Sequence, residues 1–114
     1  MDLKNEPMLV KNSVGTTGNP PKGYNSWLQW YFNGNIPSSM KCPSCGCLMI
    51  RPNKFTNHKR LNSKSLPLMV GGHVEFSILP HFHFITPICN ECNDKKENLK
   101  PFYVKLGDLK HPPF

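Results

Sequence analysis

ICNECNDKK, residues 88–96, holds Cys89 and Cys92 in a CxxC spacing, followed by Asn93 and a polar run suited to opening a helix. A CxxC turn lets two thiolates meet one ion, and an ion of tetrahedral preference needs a second pair. Upstream, PSSMKCPSCGC (37–47) supplies it in Cys42-Pro-Ser-Cys45, and Gly46 tolerates the tight backbone of such a turn. The expected ion is one structural Zn²⁺ on Cys42, Cys45, Cys89 and Cys92, because zinc takes four soft ligands at about 2.3 Å. A second pair at a helix start also sets its thiolates near positive helix-end amides. Cys47 is left over. CPSCGC allows it to replace Cys45, although the CxxC spacing favours Cys42 with Cys45.

The chain has 114 residues, room for one domain with a modest core, and its 12 prolines and 8 glycines make it loop-rich. Zinc binding contributes on the order of 10 kcal/mol to the folding of small domains, which such a chain needs. With 38% hydrophobic and 18% charged residues it is not composed as a disordered charged tail. The net charge is +7, and four thiolates with one divalent ion lower it to +5. A basic surplus on a small chain points to a polyanionic partner, most often nucleic acid, DNA or RNA. The opening MDLKNEPMLV has no apolar signal-peptide region, and no stretch approaches the roughly 18 apolar residues of a membrane span. The expectation is a cytoplasmic chain whose cysteines stay reduced, since an odd count of 5 suits a disulfide framework badly.

Residues 1–23 include VGTTGNPPKG and read as a flexible arm, leaving 24–114 as a single domain. In YNSWLQWYF (24–32), Ser26 is placed to cap a short helix. Its Trp27, Trp30 and Tyr31 either pack that helix onto the body or form a base-stacking or partner surface. RPNKFTNHKRLNSK (51–64) carries Arg51, Lys54, Lys59, Arg60 and Lys64 with no acid. It reads either as a solvated basic loop or as a phosphate-contacting segment.

HVEFSI (73–78) alternates, with Val74, Phe76 and Ile78 opposite His73, Glu75 and Ser77. HFHFITPI (81–88) alternates again, with Phe82 and Phe84 opposite His81 and His83. The two runs predict a β-hairpin. A helix from about Cys89 to Leu99 follows, Pro101 ends it, and FYVKL (102–106) is a possible last strand.

Knuckle, hairpin, then a helix bearing the second CxxC is the treble-clef order. With GGHV opening the strand and ITPICNECN introducing the helix, residues 42–98 resemble the HNH, or His-Me finger, endonuclease family. The resemblance implies an α+β fold, a small zinc-stabilised treble clef, here with an N-terminal arm and a short aromatic helix. It puts His73 in the place of the general base that activates water, and Asn93 in the place of a ligand to a catalytic divalent metal. Two positions depart from the family pattern. Gly72 stands where an acidic metal ligand is usual, and Phe84 where an asparagine braces the loop. Mg²⁺ demands a near-octahedral oxygen cage that Asn93 alone does not provide. Glu75, His81 and His83 share the hairpin's polar face with His73 and are candidates for a second metal such as Mn²⁺ or Ni²⁺, if they do not simply line a solvated strand. Three functions follow: nucleic-acid binding without cleavage, metal-dependent endonuclease activity, and a protein-interaction or inhibitory module built on Trp27, Trp30 and Tyr31.

Overall fold

The computed structural model describes residues 3–13, 18–52, 66–79, 82–94 and 100–113. In chain order these form β1 (Pro7–Asn12), α1 (Trp27–Tyr31), β2 (Ser39–Lys41), β3 (Leu48–Ile50), β4 (Met69–Phe76), β5 (His83–Cys89), α2 (Asn90–Asp94) and β6 (Phe102–Lys105). Short 3-10 turns lie at Leu3–Asn5 and Leu106–Asp108. The architecture is α+β: a curled four-stranded antiparallel sheet in the order β5-β4-β1-β6, a β2-β3 ribbon, and few, short helices. Among the described residues no helix is long and apolar enough to cross a membrane.

β4 and β5 form the hairpin that the alternation predicts, in register from Met69↔Cys89 to Glu75↔His83. Val74 is fully buried, and Phe76 packs on Phe84 with ring centroids 4.8 Å apart. The alternation fails where the strand stops. Ile78, expected inward, is 82% exposed because β4 ends at Phe76 and Ile78 lies in the connection. Phe82, across that connection, is also largely exposed. Glu75, expected on a solvated face, is buried, since β4 is an inner strand and β1 sets Lys11 beside it. His81 lies outside the described residues.

β1 corrects the arm reading for part of residues 1–23. Pro7–Asn12 is an inner strand, paired with β4 on one side and β6 on the other, and Val10 is fully buried between Phe76 and Phe102. Pro7 is tolerated because it occupies the first strand position. Met8 and Val10 point to the face that also receives Val74, Phe76, Phe102 and Val104. β6 matches the expected last strand, with Phe102 and Val104 inward and Tyr103 and Lys105 outward. The helix expected from Cys89 begins one residue later and is described to Asp94, because Cys89 still belongs to β5. Residues 95–99 lie outside the described residues.

Ser26 caps α1 as the sequence predicts. The Gln29 N–H donates to Ser26 Oγ at 3.0 Å, and the Asn25 N–H donates to Gln29 Oε1 at 2.6 Å, a reciprocal arrangement that satisfies two helix-start donors. A helix of one turn is not stable alone, so packing must hold it. Trp27, Leu28 and Tyr31 supply that packing. The close approach depends on Gly71, where a Cβ would stand 2.7 Å from the Leu28 nitrogen and 2.8 Å from the Trp27 carbonyl carbon. Gly72 serves the opposite face. A Cβ there would stand 2.5 Å from Ile88 Cδ1. The two adjacent glycines thus admit α1 on one side of β4 and a buried isoleucine on the other.

Candidate metal centre

The β2-β3 ribbon docks beside the start of β4. The Ile50 N–H donates to the Pro67 carbonyl at 3.0 Å, and Ile50 bridges to Leu68. Leu68 also receives the first turn of α2: the Asn90 N–H donates to its carbonyl at 2.8 Å, and its own N–H donates to Asn90 Oδ1 at 3.2 Å. Residues 67–68 therefore hold both cysteine pairs within reach of each other.

Within the ribbon turn, the Cys42 N–H donates to the Cys47 carbonyl and the Gly46 N–H to the Cys42 carbonyl, both at 2.8 Å. Gly46 takes φ of 79°, a left-handed conformation that disfavours a side chain. The second pair comes from the end of β5 and the first turn of α2, and the Cys89 N–H is directed at Cys42 Sγ at 3.4 Å. As a result the Sγ atoms of Cys42, Cys45, Cys89 and Cys92 all lie within 4.8 Å of one another. A tetrahedron with bonds of about 2.3 Å has sulfurs about 3.8 Å apart. The Cys45 and Cys89 sulfurs are 3.8 Å apart. Four soft sulfur donors suit a structural ion such as Zn²⁺ and leave no open position for catalysis. Cys42, Cys89 and Cys92 are buried, whereas Cys45 is exposed.

Burial pushes the Cys89 thiol up to about 12 and the Cys92 thiol likewise up to about 12. Burial, with Cys45 beside it, raises Cys47 to about 11. Burial also acts to raise Cys45, but hydrogen bonding with Cys47, Cys92 and Cys89 outweighs it and brings that thiol down to about 7. In the absence of an ion the pocket thus favours a thiolate at the exposed corner and disfavours one on Cys47, Cys89 or Cys92, where burial opposes the charged form. A dication supplies the missing counter-charge, so its binding displaces protons.

The remaining candidates separate. His73, Glu75 and His83 share the face of the sheet that α1 covers. The Trp27 ring meets His73 edge-on at 5.1 Å, and His83 Nδ1 lies 3.0 Å from Ser13 Oγ. Burial, and then the nearby His83, lower the His73 pKa. Among the described residues, the metal-ligand atoms that converge are the four thiols, and these three side chains do not gather with them or into a comparable group. Asn93 sits on the other face of β4, with Oδ1 3.5 Å from where a Cβ on Gly72 would stand.

The aromatic surface also needs correction. Trp27 and Tyr31 are buried. The Trp27 indole N–H donates to the Gly18 carbonyl at 2.9 Å, and the Tyr31 hydroxyl donates to the Asp108 carbonyl at 2.5 Å. The Lys110 ammonium donates to the Tyr31 carbonyl and lies 4.6 Å from the centre of its ring. Packing has taken up both side chains, and only the half-buried Trp30 retains partial access. Arg51 is exposed and donates to the Ile36 carbonyl at 3.1 Å. Lys54, Lys59, Arg60 and Lys64 lie outside the described residues.

Two contacts at the centre were not foreseen. Cys47 brings its Sγ to 3.0 Å from Cys45 Sγ, and Asn12 of β1 donates from Nδ2 to the Cys92 carbonyl at 2.8 Å. CPSCGC hinted at the first. Nothing local to Asn12 signals the second. No family model, curated protein or solved structure matches the chain.

Proposed function

We propose that the chain is a zinc-stabilised treble clef of the HNH type that binds nucleic acid without cleaving it. The observation that carries this reading is the four-thiol cluster, drawn from a ribbon turn and a helix start with the β4-β5 hairpin between them. The absence of cleavage rests on Gly72. It occupies the position of the family's acidic metal ligand, and the space a side chain would enter is filled by Ile88 Cδ1 and Cγ1, 2.5 and 2.7 Å from a Cβ there. Asn93 is then left without its partner ligand. His73, in the general base's position, lies on the opposite face against Trp27. The nucleic-acid partner is supported by the charge of +7 and by exposed Lys41 and Arg51 flanking the ribbon.

The test is a binding and cleavage assay of zinc-loaded protein on labelled DNA and RNA with Mg²⁺, Mn²⁺ or Ni²⁺. The expected result is binding that weakens with salt, at a slope of about −0.9 per duplex phosphate contacted, with the strands left intact. A Lys59/Arg60→Ala pair should flatten that slope. Cleavage that disappears with His73→Ala would replace this reading with an endonuclease. Folded protein that binds neither nucleic acid would replace it with a protein-interaction module.

A further inference from the structure

The metal centre brings five sulfurs to a site for four. Cys47 Sγ stands 3.0 Å from Cys45 Sγ, inside the van der Waals separation of two sulfurs and outside bonding distance. Both residues belong to one turn, with Gly46 between them in a left-handed conformation. They are also the accessible members of the cluster: Cys45 is exposed and Cys47 partly so, while Cys42, Cys89 and Cys92 are buried. A ligand at the rim with a spare thiol in contact differs from a sealed structural site, in which every sulfur is a ligand and none can be replaced.

We propose that Cys45 and Cys47 form an oxidation site, at which a peroxide converts the pair to an intra-turn disulfide and removes one ligand from the metal. This rests on the four-thiol reading of the centre. The Cys45 thiolate attacks a peroxide oxygen, the O–O bond breaks, and the sulfur becomes a sulfenic acid as the other oxygen departs into solvent as hydroxide. The Cys47 thiol then attacks the Cys45 sulfur. The S–S bond forms, the S–O bond breaks, and the Cys47 proton leaves with the hydroxyl as water. Two electrons pass from the sulfur pair to peroxide. Cys42, Cys89 and Cys92 are left as three ligands, a weaker grip open to solvent on the side Cys45 had closed.

The test begins with the zinc content of the purified full chain, followed by hydrogen peroxide with a chromogenic chelator in solution. Free thiols are then tagged, the protein reduced, and newly freed thiols given a second tag located by tandem mass spectrometry. The expected result is zinc release together with loss of two hydrogens, the second tag on Cys45 and Cys47 and the first on Cys42. Cys47→Ser and Cys47→Ala, which keep the four ligands, should gain oxygen on Cys45 instead of losing two hydrogens. A second tag on any other pair, or loss of two hydrogens in both variants as in the unmodified chain, would overturn the proposal. A folded chain that carries no zinc would count against the metal centre itself, and the tag pattern would still decide the pairing.

Discussion

Gly71→Ala tests whether α1 rests backbone to backbone on β4. The new Cβ would lie 2.7 Å from the Leu28 nitrogen, 2.8 Å from the Trp27 carbonyl carbon and 2.9 Å from Trp27 Cβ. None of these atoms is the end of a flexible side chain, so the helix itself must retreat, by about 0.5–0.7 Å, to restore ordinary contact. A gap of that size forfeits about a quarter to a half of the dispersion attraction across it. α1 buries Trp27, Leu28 and Tyr31. Side chains of this kind each contribute roughly 1.5–3 kcal/mol on burial. The loss is then about 1–4 kcal/mol, offset by about 0.5–1 kcal/mol because alanine restricts the unfolded chain more than glycine does. The net expectation is a destabilisation of about 0.5–3 kcal/mol, close to the usual range for overpacking. Urea unfolding at saturating zinc, followed by the fluorescence of Trp27 and Trp30, measures it. Gly18→Ala is the control, since a Cβ there meets nothing within 4 Å. A Gly71→Ala protein as stable as the unmodified chain would show that α1 does not sit where the contacts put it.

Cys92→Ser should yield unfolded or zinc-free protein, because the on-the-order-of 10 kcal/mol that zinc contributes is comparable with the whole stability of a small domain; a well-folded, metal-free variant in a zinc assay with circular dichroism would refute the grip. Gly72→Ala should cost about 1–3 kcal/mol by pressing on the fully buried Ile88, and Ile88→Val should be less harmful beside it than alone; additive costs in denaturant titrations would mean that the two side chains do not meet. The pKa of His73 lies below its ordinary value through burial and then the nearby His83. The unfolded chain takes up that proton near pH 6.5 while the native chain resists it, so stability is full above about pH 6.5 and declines as pH falls towards the native value. His73→Gln should flatten the decline between about pH 7 and 5.5 in excess zinc, and parallel curves for the two proteins would contradict this.

The chemistry of the centre was legible because a CxxC spacing is itself a geometric statement. Cys42 with Cys45 and Cys89 with Cys92 announce two half-sites, and the fold brings their four sulfurs within 4.8 Å of one another, a spacing that suits one tetrahedral ion. The hairpin was legible because Val74 and Phe84 alternate with polar neighbours. What alternation lacks is an end point, so Ile78 and Phe82 followed the pattern in sequence and left it in space. Glu75 was misplaced for a related reason: a residue cannot reveal that another strand will cover its flank. β1 was hidden because six residues opening on proline carry little pattern alone, and their partners lie far along the chain. Gly72 looked like a missing acid, when it and Gly71 each accommodate a different neighbour on opposite faces of β4.

The position of β1 also sets an order of assembly. The β4-β5 hairpin and the β2-β3 ribbon close short loops, which form quickly. β1 closes long ones, and the entropy of doing so is lost before its hydrogen bonds return anything. Its slot between β4 and β6 exists only once those strands are in place. Asn12, at the end of β1, reaches the Cys92 carbonyl. The seating of β1 is thus completed by a contact with the α2 turn that carries Cys92. Until β1 docks, Met8, Val10 and their partner strands are exposed together, a ready surface for aggregation.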